Sequence, residues 1–511
     1  MKLAAAPGRR RYRVPAVKVS KGEVNMVWNP GFEAAFNPRA VAVVGVSTSQ
    51  KQDHRGYTGL RLLRILQEYG FGGRIYPVNP KAGEIEGAKV YPRVADIPEP
   101  LDLVIVAVPA ASVPQVLEDC VAAGALNVHI CTSGFAETGE AEGKRLESRM
   151  RDIALRGGLR VIGPNCMGLQ VPSVHMGTFG GVPLAQGPVA FISQSGGHVN
   201  RYLELGPAVG IGFSKLISYG NALTLDATDF LEYLATDPET KIICMYLEGI
   251  KDGRRLLQLV RELNPIKPVI VWKGGLTRSG ARAASSHTGS LAGSKEVWDS
   301  FFKQTGAISV GSIEEMAEVT MSLLHLKPSP SRRVSVIGGG GGINVANGDI
   351  CAEEGLDVPA LSPETRARLM EFISLVNQSV MNPMDIPSVL GDVLLLRRVI
   401  ELVAADPAID TIILYVDTST YKTVLPTILD GIEKCVFNLA RENLKGKPIV
   451  VAIRAQVKFE EAKRFAQELR EGGIPAYASL RGACRALSRF AGYHEFVAGS
   501  RVGAGAPSGR R

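Results

Sequence analysis

Short apolar runs that stop at Gly, Pro or Asn recur along this 511-residue chain, and amphipathic stretches separate them. In residues 39–166 the runs are RAVAVVGVS, RIYPVNP, LDLVIVAVP, ALNVHICTSG and LRVIGPNC. The segments between them, such as GLRLLRILQEYGFGG and ASVPQVLEDCVAAGA, carry apolar residues at helical spacing. Near-continuous Val/Ile runs belong to strands covered on both faces, and their alternation with helices predicts parallel sheets. A second series begins near residue 187 with GPVAFISQSGG, IGFSKLISYGN, KIICMYLEGI and KPVIVWKGG. It closes on the helical EEMAEVTMSLLHL and the Pro/Ser break KPSPSRR. A third series runs through RVSVIGGGGGINVANGDICAEEG, AIDTIILYVD and KPIVVAIRA. The expected fold class is α/β, as three consecutive Rossmann-like or flavodoxin-like parallel-sheet domains. Their boundaries fall at 31–175, 176–328 and 329–498, with a basic tail at 1–30 and a Gly/Pro/Ser-rich flexible tail at 499–511.

Composition narrows the function classes. Seven of the eight net positive charges fall before Glu23, on Lys2, Arg9, Arg10, Arg11, Arg13, Lys18 and Lys21, which leaves residues 22–511 near +1. A nucleic-acid binder carries its basic residues on a folded face, so no nucleic-acid partner is expected. The basic start has no apolar h-region of a secretory signal. A disordered tail is the simplest reading, with an organelle transit peptide as the alternative. No apolar run reaches the ~18–20 residues of a membrane span, so no membrane partner is expected. Seven scattered cysteines, none in a C-x-x-C, read as buried free thiols of a cytoplasmic protein. No metal site is expected from them.

In parallel sheets ligands bind at the carboxyl ends of strands. Those ends carry Gly45–Ser47, Asn79–Lys81, Val108–Pro109, Ser133–Gly134 and Pro164–Asn165. The first turn, VVGVSTSQKQDHRGYTG, lacks the G-x-G-x-x-G of a dinucleotide site, which argues against a nicotinamide-dependent dehydrogenase. No G-x-x-x-x-G-K-[ST] occurs either. Gly45 and Ser47 still suit a phosphate at a helix start, and a plain strand-to-helix turn reads equally well there. Two later turns match each other. Ser193, Ser195, Gly196 and Gly197 precede a helix opening near His198, and Gly338–Gly342 do the same in the third series. Helix starts without bulky side chains offer N–H groups to an anion, each favouring it by roughly 0.3–1 kcal/mol. Two facing each other would cradle a phosphoryl group. Gly338–Gly342 alone fits a tight turn as well.

Seven histidines compete for a chemical role. His129 sits in the apolar NVHIC and reads as a core residue, while His325 and His494 read as structural or exposed. His54 and His175 lie in polar or glycine-containing loops, and His198 follows the Ser-Gly-Gly helix start. His287 stands apart in AASSHTGSLAG, among small and hydroxyl residues. An imidazole there is substantially neutral at cellular pH and able to attack phosphorus and release it again. A permissive surface loop has the same composition. Glu248, at the end of the apolar strand in MYLEGI, is the candidate carboxylate to orient that ring; a merely solvated strand-end acid is its alternative.

The chain resembles the α subunit of NDP-forming acyl-CoA synthetases, of the acetate–CoA ligase (ADP-forming) type, within the succinyl-CoA synthetase superfamily. The resemblance spans roughly residues 35–495 and rests on YPVNPK, TSGFAETG, IGPNCMGL, FISQSGG, SYGNALTLDATDFLEYL, YLEGI, ASSHTGSLAG and NPMDI. It implies that the first domain binds coenzyme A through Gly45, Ser47, Asn79, Pro80, Lys81, Val108, Pro109, Gly134 and Asn165. It implies that His287 is phosphorylated and that Glu248 steadies it. Ser195, Gly196 and Gly197, with Gly340, Gly341, Gly342 and Ile343, match the paired helix starts that hold phosphate. The implied reaction is acyl-CoA + ADP + phosphate ⇌ carboxylic acid + CoA + ATP, on a small carboxylic acid or its acyl-CoA.

Two departures qualify the resemblance. No Gly-rich, Lys-bearing stretch resembling an ATP-grasp module follows NPMDI, so that module is expected on a separate β subunit, in a hetero-oligomer of α2β2 type. ADP or ATP and Mg2+ would then be held mainly by the partner. The turn GVSTSQKQDHRGYTG is longer than the family's usual turn, and His198 stands where the family more often has a small residue. The rival class is a non-catalytic CoA-binding or regulatory protein of the same fold. His287, Glu248 and both glycine-rich starts are all retained, which a degenerate copy has no reason to do.

Overall fold

The structure, a computed structural model, describes residues 30–47, 58–81, 83–181, 184–282, 293–418, 425–456 and 458–504. Three larger sheets follow one another along the chain, and Gly83–Ile85 and Ala88–Val90 form a two-stranded hairpin beside the first. The first has five parallel strands in the spatial order Arg74–Val78, Ala40–Val44, Leu103–Val106, Asn127–Ile130 and Arg160–Ile162. Each is a Val/Ile-rich run, and Ala40–Val44, Leu103–Val106 and Asn127–Ile130 are buried throughout, as strands covered by helices on both faces must be. The order reverses beside Ala40–Val44, since the next strand goes to one side and the one after to the other. Such a switch point opens a crevice at the carboxyl edge, where Gly45 and Ser47 lie.

The second sheet is not wholly parallel. Ile308–Val310, Val269–Lys273, Ile242–Leu247, Gln186–Ser193 and Phe213–Ser218 run parallel. Gly168–Val171 then adds antiparallel to Phe213–Ser218, and Met176–Gly177 antiparallel to Gly168–Val171. The reversal comes from a short turn, Pro172–Val174, closed by His175 at φ 55°. Too few residues intervene for the crossover that a parallel return requires. The second sheet thus takes a strand from inside the 31–175 segment. The third sheet has four parallel strands, Val334–Ile337, Thr411–Asp417, Ile449–Arg454 and Ala476–Tyr477.

The three sheets share cores. One apolar cluster joins Val41 and Ile105 of the first sheet to Ala190 and Ile243 of the second, and another joins Phe191 and Ile270 to Val336 and Ile413 of the third. Strand ends of neighbouring sheets are therefore held in fixed relation. A helix spans Pro30–Phe36, and the last helix spans Leu480–Ala504. Among the described residues no helix is long and apolar enough to cross a membrane. Cys120, Cys166, Cys244, Cys351, Cys435 and Cys484 are buried free thiols, and Cys131 is half-buried.

Candidate active site

Because the strands of the first sheet are parallel, the candidate residues at their carboxyl ends share one edge. Gly45 adopts φ 99°, and a Cβ there would lie 2.2 Å from the Ala107 carbonyl oxygen. Only glycine lets the first turn pass so close to the next strand. Asn79 donates from Nδ2 to the Val46 carbonyl (2.8 Å) and accepts from the Lys81 N–H (2.9 Å), so one side chain shapes both the Gly45–Ser47 turn and its own. Pro80, Lys81 and Pro109 are exposed at this edge, and Val108 is half-buried. Thr132 Oγ1 donates to the Val108 carbonyl at 2.7 Å.

Gly134 and Asn165 join a network that the sequence did not disclose. The Gly134 N–H donates to Glu137 Oε1 (2.6 Å), and Asn221 Nδ2 donates to Glu137 Oε2 (2.7 Å) and Glu147 Oε2 (3.0 Å). Asn165 Nδ2 donates to Asn221 Oδ1 at 3.3 Å. Asn221 comes from the loop after Phe213–Ser218, so this network ties the first sheet's carboxyl edge to the second sheet. Its signals, TSGFAETG and SYGNAL, are in the chain, but the long-range pairing is not.

At the second sheet, Ser195 caps the helix Gly196–Ala208, its Oγ accepting from the His198 N–H at 3.4 Å. Gly196 is pressed against Met167, where a Cβ would meet Cγ at 2.6 Å, and Gly197 is exposed. Glu248 is buried one residue beyond Ile242–Leu247. Gln194 Oε1 accepts from the Glu248 and Gly249 N–H groups at 2.5 and 2.9 Å. Tyr246 donates from its hydroxyl to Glu248 Oε1 at 3.2 Å. Burial, then the Glu248 charge, pushes the Tyr246 phenol well above its ordinary range, so it stays a donor.

Ser195, His198, Tyr246, Glu248, Trp272 and Lys273 line one cavity of about 800 Å³, completed by the Gly274–Thr277 turn and by residues near Glu315 and Arg489. The rings of His198, Tyr246 and Trp272 pack together, with centroids 4.3–4.8 Å apart. The stretch 283–292, with His287, lies outside the described residues, as do His54 and 48–57. Residues 274–277 and Gly280, which line the cavity, precede that stretch in the sequence.

Gly340–Ile343 open the helix Gly341–Glu353 at the end of Val334–Ile337, on the third sheet. A Cβ at Gly341 or Gly342 meets nothing within 4 Å, so the start is open. Two of its N–H groups have partners within the chain. Gly341 N–H donates to Asp385 Oδ2 at 2.6 Å, and Ile343 N–H to the Gly340 carbonyl at 2.8 Å. Asp385 belongs to NPMDI, whose Asn382 donates to the Val334 and Pro359 carbonyls and so fixes that motif beside the strand. The third sheet's helix contributes Arg489, and not these glycines, to the Ser195–Glu248 cavity. Of the other histidines, His129 is buried in its strand as expected, and His175 bonds from Nδ1 to the Tyr69 carbonyl at 3.0 Å. Among the described residues no group of three or more His, Cys, Asp or Glu is placed to hold a metal.

Three family models cover the chain in order: a CoA binding domain over residues 39–172, a succinyl-CoA ligase-like flavodoxin domain over 186–323 and a ligase-CoA domain over 334–488. Acetate–CoA ligase (ADP-forming) II subunit alpha of Pyrococcus furiosus is 38% identical over 445 residues, covering 86% of this chain and 93% of that one. The chain belongs to the ADP-forming acetate–CoA ligase family. Acetate–CoA ligase (ADP-forming) I of Archaeoglobus fulgidus is 36% identical over 92% of this chain, which spans only 65% of that longer relative. Acetyl-coenzyme A synthetase 1 of Ca. Korarchaeum cryptofilum, solved with phosphate and ADP, is 33% identical with a TM-score of 0.79, covering 92% of this chain and 98% of that one. Family membership favours a ligase over a non-catalytic CoA-binding protein. A CoA-binding unit in the first sheet is part of that membership.

Proposed function

We propose that this chain is the α subunit of an ADP-forming acyl-CoA synthetase, interconverting acyl-CoA, ADP and phosphate with carboxylic acid, CoA and ATP. The observation that carries this is the convergence of Ser195, Tyr246, Glu248 and Lys273 on one cavity, which residues 274–277 ahead of the His287 segment also line, in a chain of this family. We assign CoA to the carboxyl edge of the first sheet, with Gly45, Ser47, Asn79, Pro80, Lys81, Val108, Pro109, Gly134 and Asn165 as its contacts. Phosphate attacks the thioester carbonyl, the C–S bond breaks, and an acyl phosphate and CoA form. His287 then attacks phosphorus, the P–O bond to the acyl group breaks, and the acid leaves. The phosphohistidine passes its phosphoryl group to ADP. An imidazole suits this relay because it is neutral enough to attack and makes a labile N–P bond.

Glu248 is the carboxylate proposed to orient His287, by the logic through which a buried acid fixes an imidazole's tautomer and steadies its charged form. The Ser195–Gly197 and Gly340–Ile343 starts are the proposed phosphate cradle, the second standing outside the Ser195–Glu248 cavity, as helix N-termini favour anions. Nucleotide and its Mg2+ are assigned to a separate ATP-grasp β subunit, a reading supported by the two Pyrococcus furiosus relatives being named as alpha subunits. The family's named acyl groups range from acetate to 4-hydroxybutyrate in a Nitrosopumilus maritimus relative, so the acid is left to a substrate panel.

The test is co-purification of the chain with its β partner and incubation with labelled ATP and magnesium. Acid-labile, base-stable label on the wild type, absent from His287→Ala, is the expected result. Equal labelling of the two proteins removes His287 from the scheme.

A further inference from the structure

Lys273 is buried at the end of Val269–Lys273, its backbone in register with Leu247, so it emerges beside Glu248. Its Nζ donates to the Glu248 carbonyl oxygen at 2.8 Å and also to the Gly274 carbonyl oxygen. The same ammonium lies 5.4 Å from the centre of the Trp298 ring. Trp298 belongs to the helix Lys295–Thr305, and its Nε1 lies 3.2 Å from where a Cβ of Gly293 would be. One cation therefore touches the backbone of Glu248, the turn that precedes residues 283–292 in the sequence, and the helix that follows them.

Two carbonyls ask only for N–H donors, which a neutral side chain supplies. A buried ammonium is a costly way to provide them, because desolvation of the charge must be recovered. The charge itself is what a structural bridge leaves unexplained. It is held on the Glu248 main chain and lines, with Glu248, the cavity where a phosphoryl group is proposed to arrive. Among the described residues the other titratable groups lining that cavity are His198, Tyr246, Glu315 and Arg489.

We infer that Lys273 is a positioning residue of the phosphoryl-transfer step: it pins the Glu248 main chain to the Gly274 turn and supplies a fixed positive charge to the cavity that Glu248 lines. This rests on the functional reading above. It separates from that reading because the charge is removable without touching His287 or Glu248. Burial lowers the Lys273 ammonium to about 8, with the Glu248 charge opposing that shift. Its proton is thus lost within an accessible range.

The experiment uses the full chain with its β partner and follows the initial rate of labelling by labelled ATP from about pH 6 to about pH 10, around the ordinary Lys range. The wild type is expected to lose rate above about pH 8. Lys273→Met is expected to fall about 100-fold, the scale of a misplaced reacting group, and to lose that limb. Lys273→Arg, whose guanidinium stays charged throughout, is expected to label within about tenfold of wild type at neutral pH, and to carry the alkaline limb upward by about one pH unit or more. CoA affinity, a property of the first sheet, is expected to be unchanged in both and reports folding. Equal rates for Lys273→Met and wild type, or identical alkaline limbs for Lys273→Arg and wild type, overturn the inference while leaving His287 in place. Absence of label on the wild type at every pH overturns both readings. Should neither variant fold, the wild-type profile decides: a limb near pH 8 supports the inference and a flat profile to pH 10 overturns it.

Discussion

Tyr246 and Glu248 sit two residues apart across the end of one strand, and the phenol of the first donates to Oε1 of the second at 3.2 Å. Alternation along a strand puts residues i and i+2 on the same face, so YLE supplies both the donor and its acceptor. The hydroxyl fixes one carboxylate oxygen. Tyr246→Phe removes that donor without removing the ring packed on His198 and Trp272. A hydrogen bond to a charged group contributes about 1.5–3 kcal/mol. Phosphohistidine formation is therefore expected to slow by about tenfold or more, with CoA binding untouched. Rapid-quench labelling measures it, and an unchanged rate would sever Tyr246 from the chemistry.

Gln194 makes the second prediction. Its Oε1 takes both the Glu248 and Gly249 N–H groups, all in buried surroundings. Gln194→Leu leaves two buried donors without an acceptor, at about 1–3 kcal/mol each. Gln194→Glu keeps the oxygen but puts a negative charge near Glu248. Denaturant titration is expected to show the larger stability loss for Leu, and labelling the larger rate loss per unit of stability for Glu. The reverse order in the denaturation would mean that the carboxamide does not hold this turn.

Much of this arrangement was legible in the chain because it is local. Val/Ile runs fixed the strands, and FISQSGG and YLEGI put Ser195 and Glu248 at strand ends that parallel pairing brings to one edge. The antiparallel Gly168–Val171 escaped because GLQVPSV is short and is read through a proline. Ile308–Val310 and Ala476–Tyr477 escaped as brief edge strands with too little periodicity. Lys273 and Asn221 escaped for another reason: a lysine ending an apolar run and an asparagine after a strand are ordinary until the fold shows what they touch. Asp385 at the Gly341 N–H was hidden in the same way, since 44 residues separate the pair.

Gly45 tests the first sheet. An alanine there would force a Cβ to 2.2 Å from the Ala107 carbonyl oxygen at a φ of 99°. Strained backbone of this kind costs about 1–3 kcal/mol, and the steric conflict adds to it. Gly45→Ala is expected to weaken CoA binding by at least about tenfold, which calorimetry on the folded protein measures. By contrast Gly72→Ala, where a Cβ meets nothing within 4 Å and φ is not in the left-handed region, is expected to leave CoA binding as it was. Equal affinities for Gly45→Ala and wild type would place the CoA edge elsewhere.

His129 supplies a prediction about acid. Its ring is fully buried in the first sheet, against Gly168, where a Cβ would lie 2.1 Å from Cε1, and its Nε2 is 3.3 Å from Cys131 Sγ. Burial lowers its pKa from the ordinary 6.5 to about 4. Between those values the unfolded chain binds a proton there and the folded chain does not. Stability is therefore undiminished above about pH 6.5 and falls as pH drops towards 4, by ~3 kcal/mol in all. His129→Leu, which keeps an apolar side chain in the strand, is expected to flatten that part of the stability profile relative to wild type, whatever it does to stability at neutral pH. Urea unfolding at several pH values across the window measures the slope. Parallel profiles for the two proteins would show that burial leaves the imidazole's pKa unchanged, so that acid acts on it as on an exposed histidine.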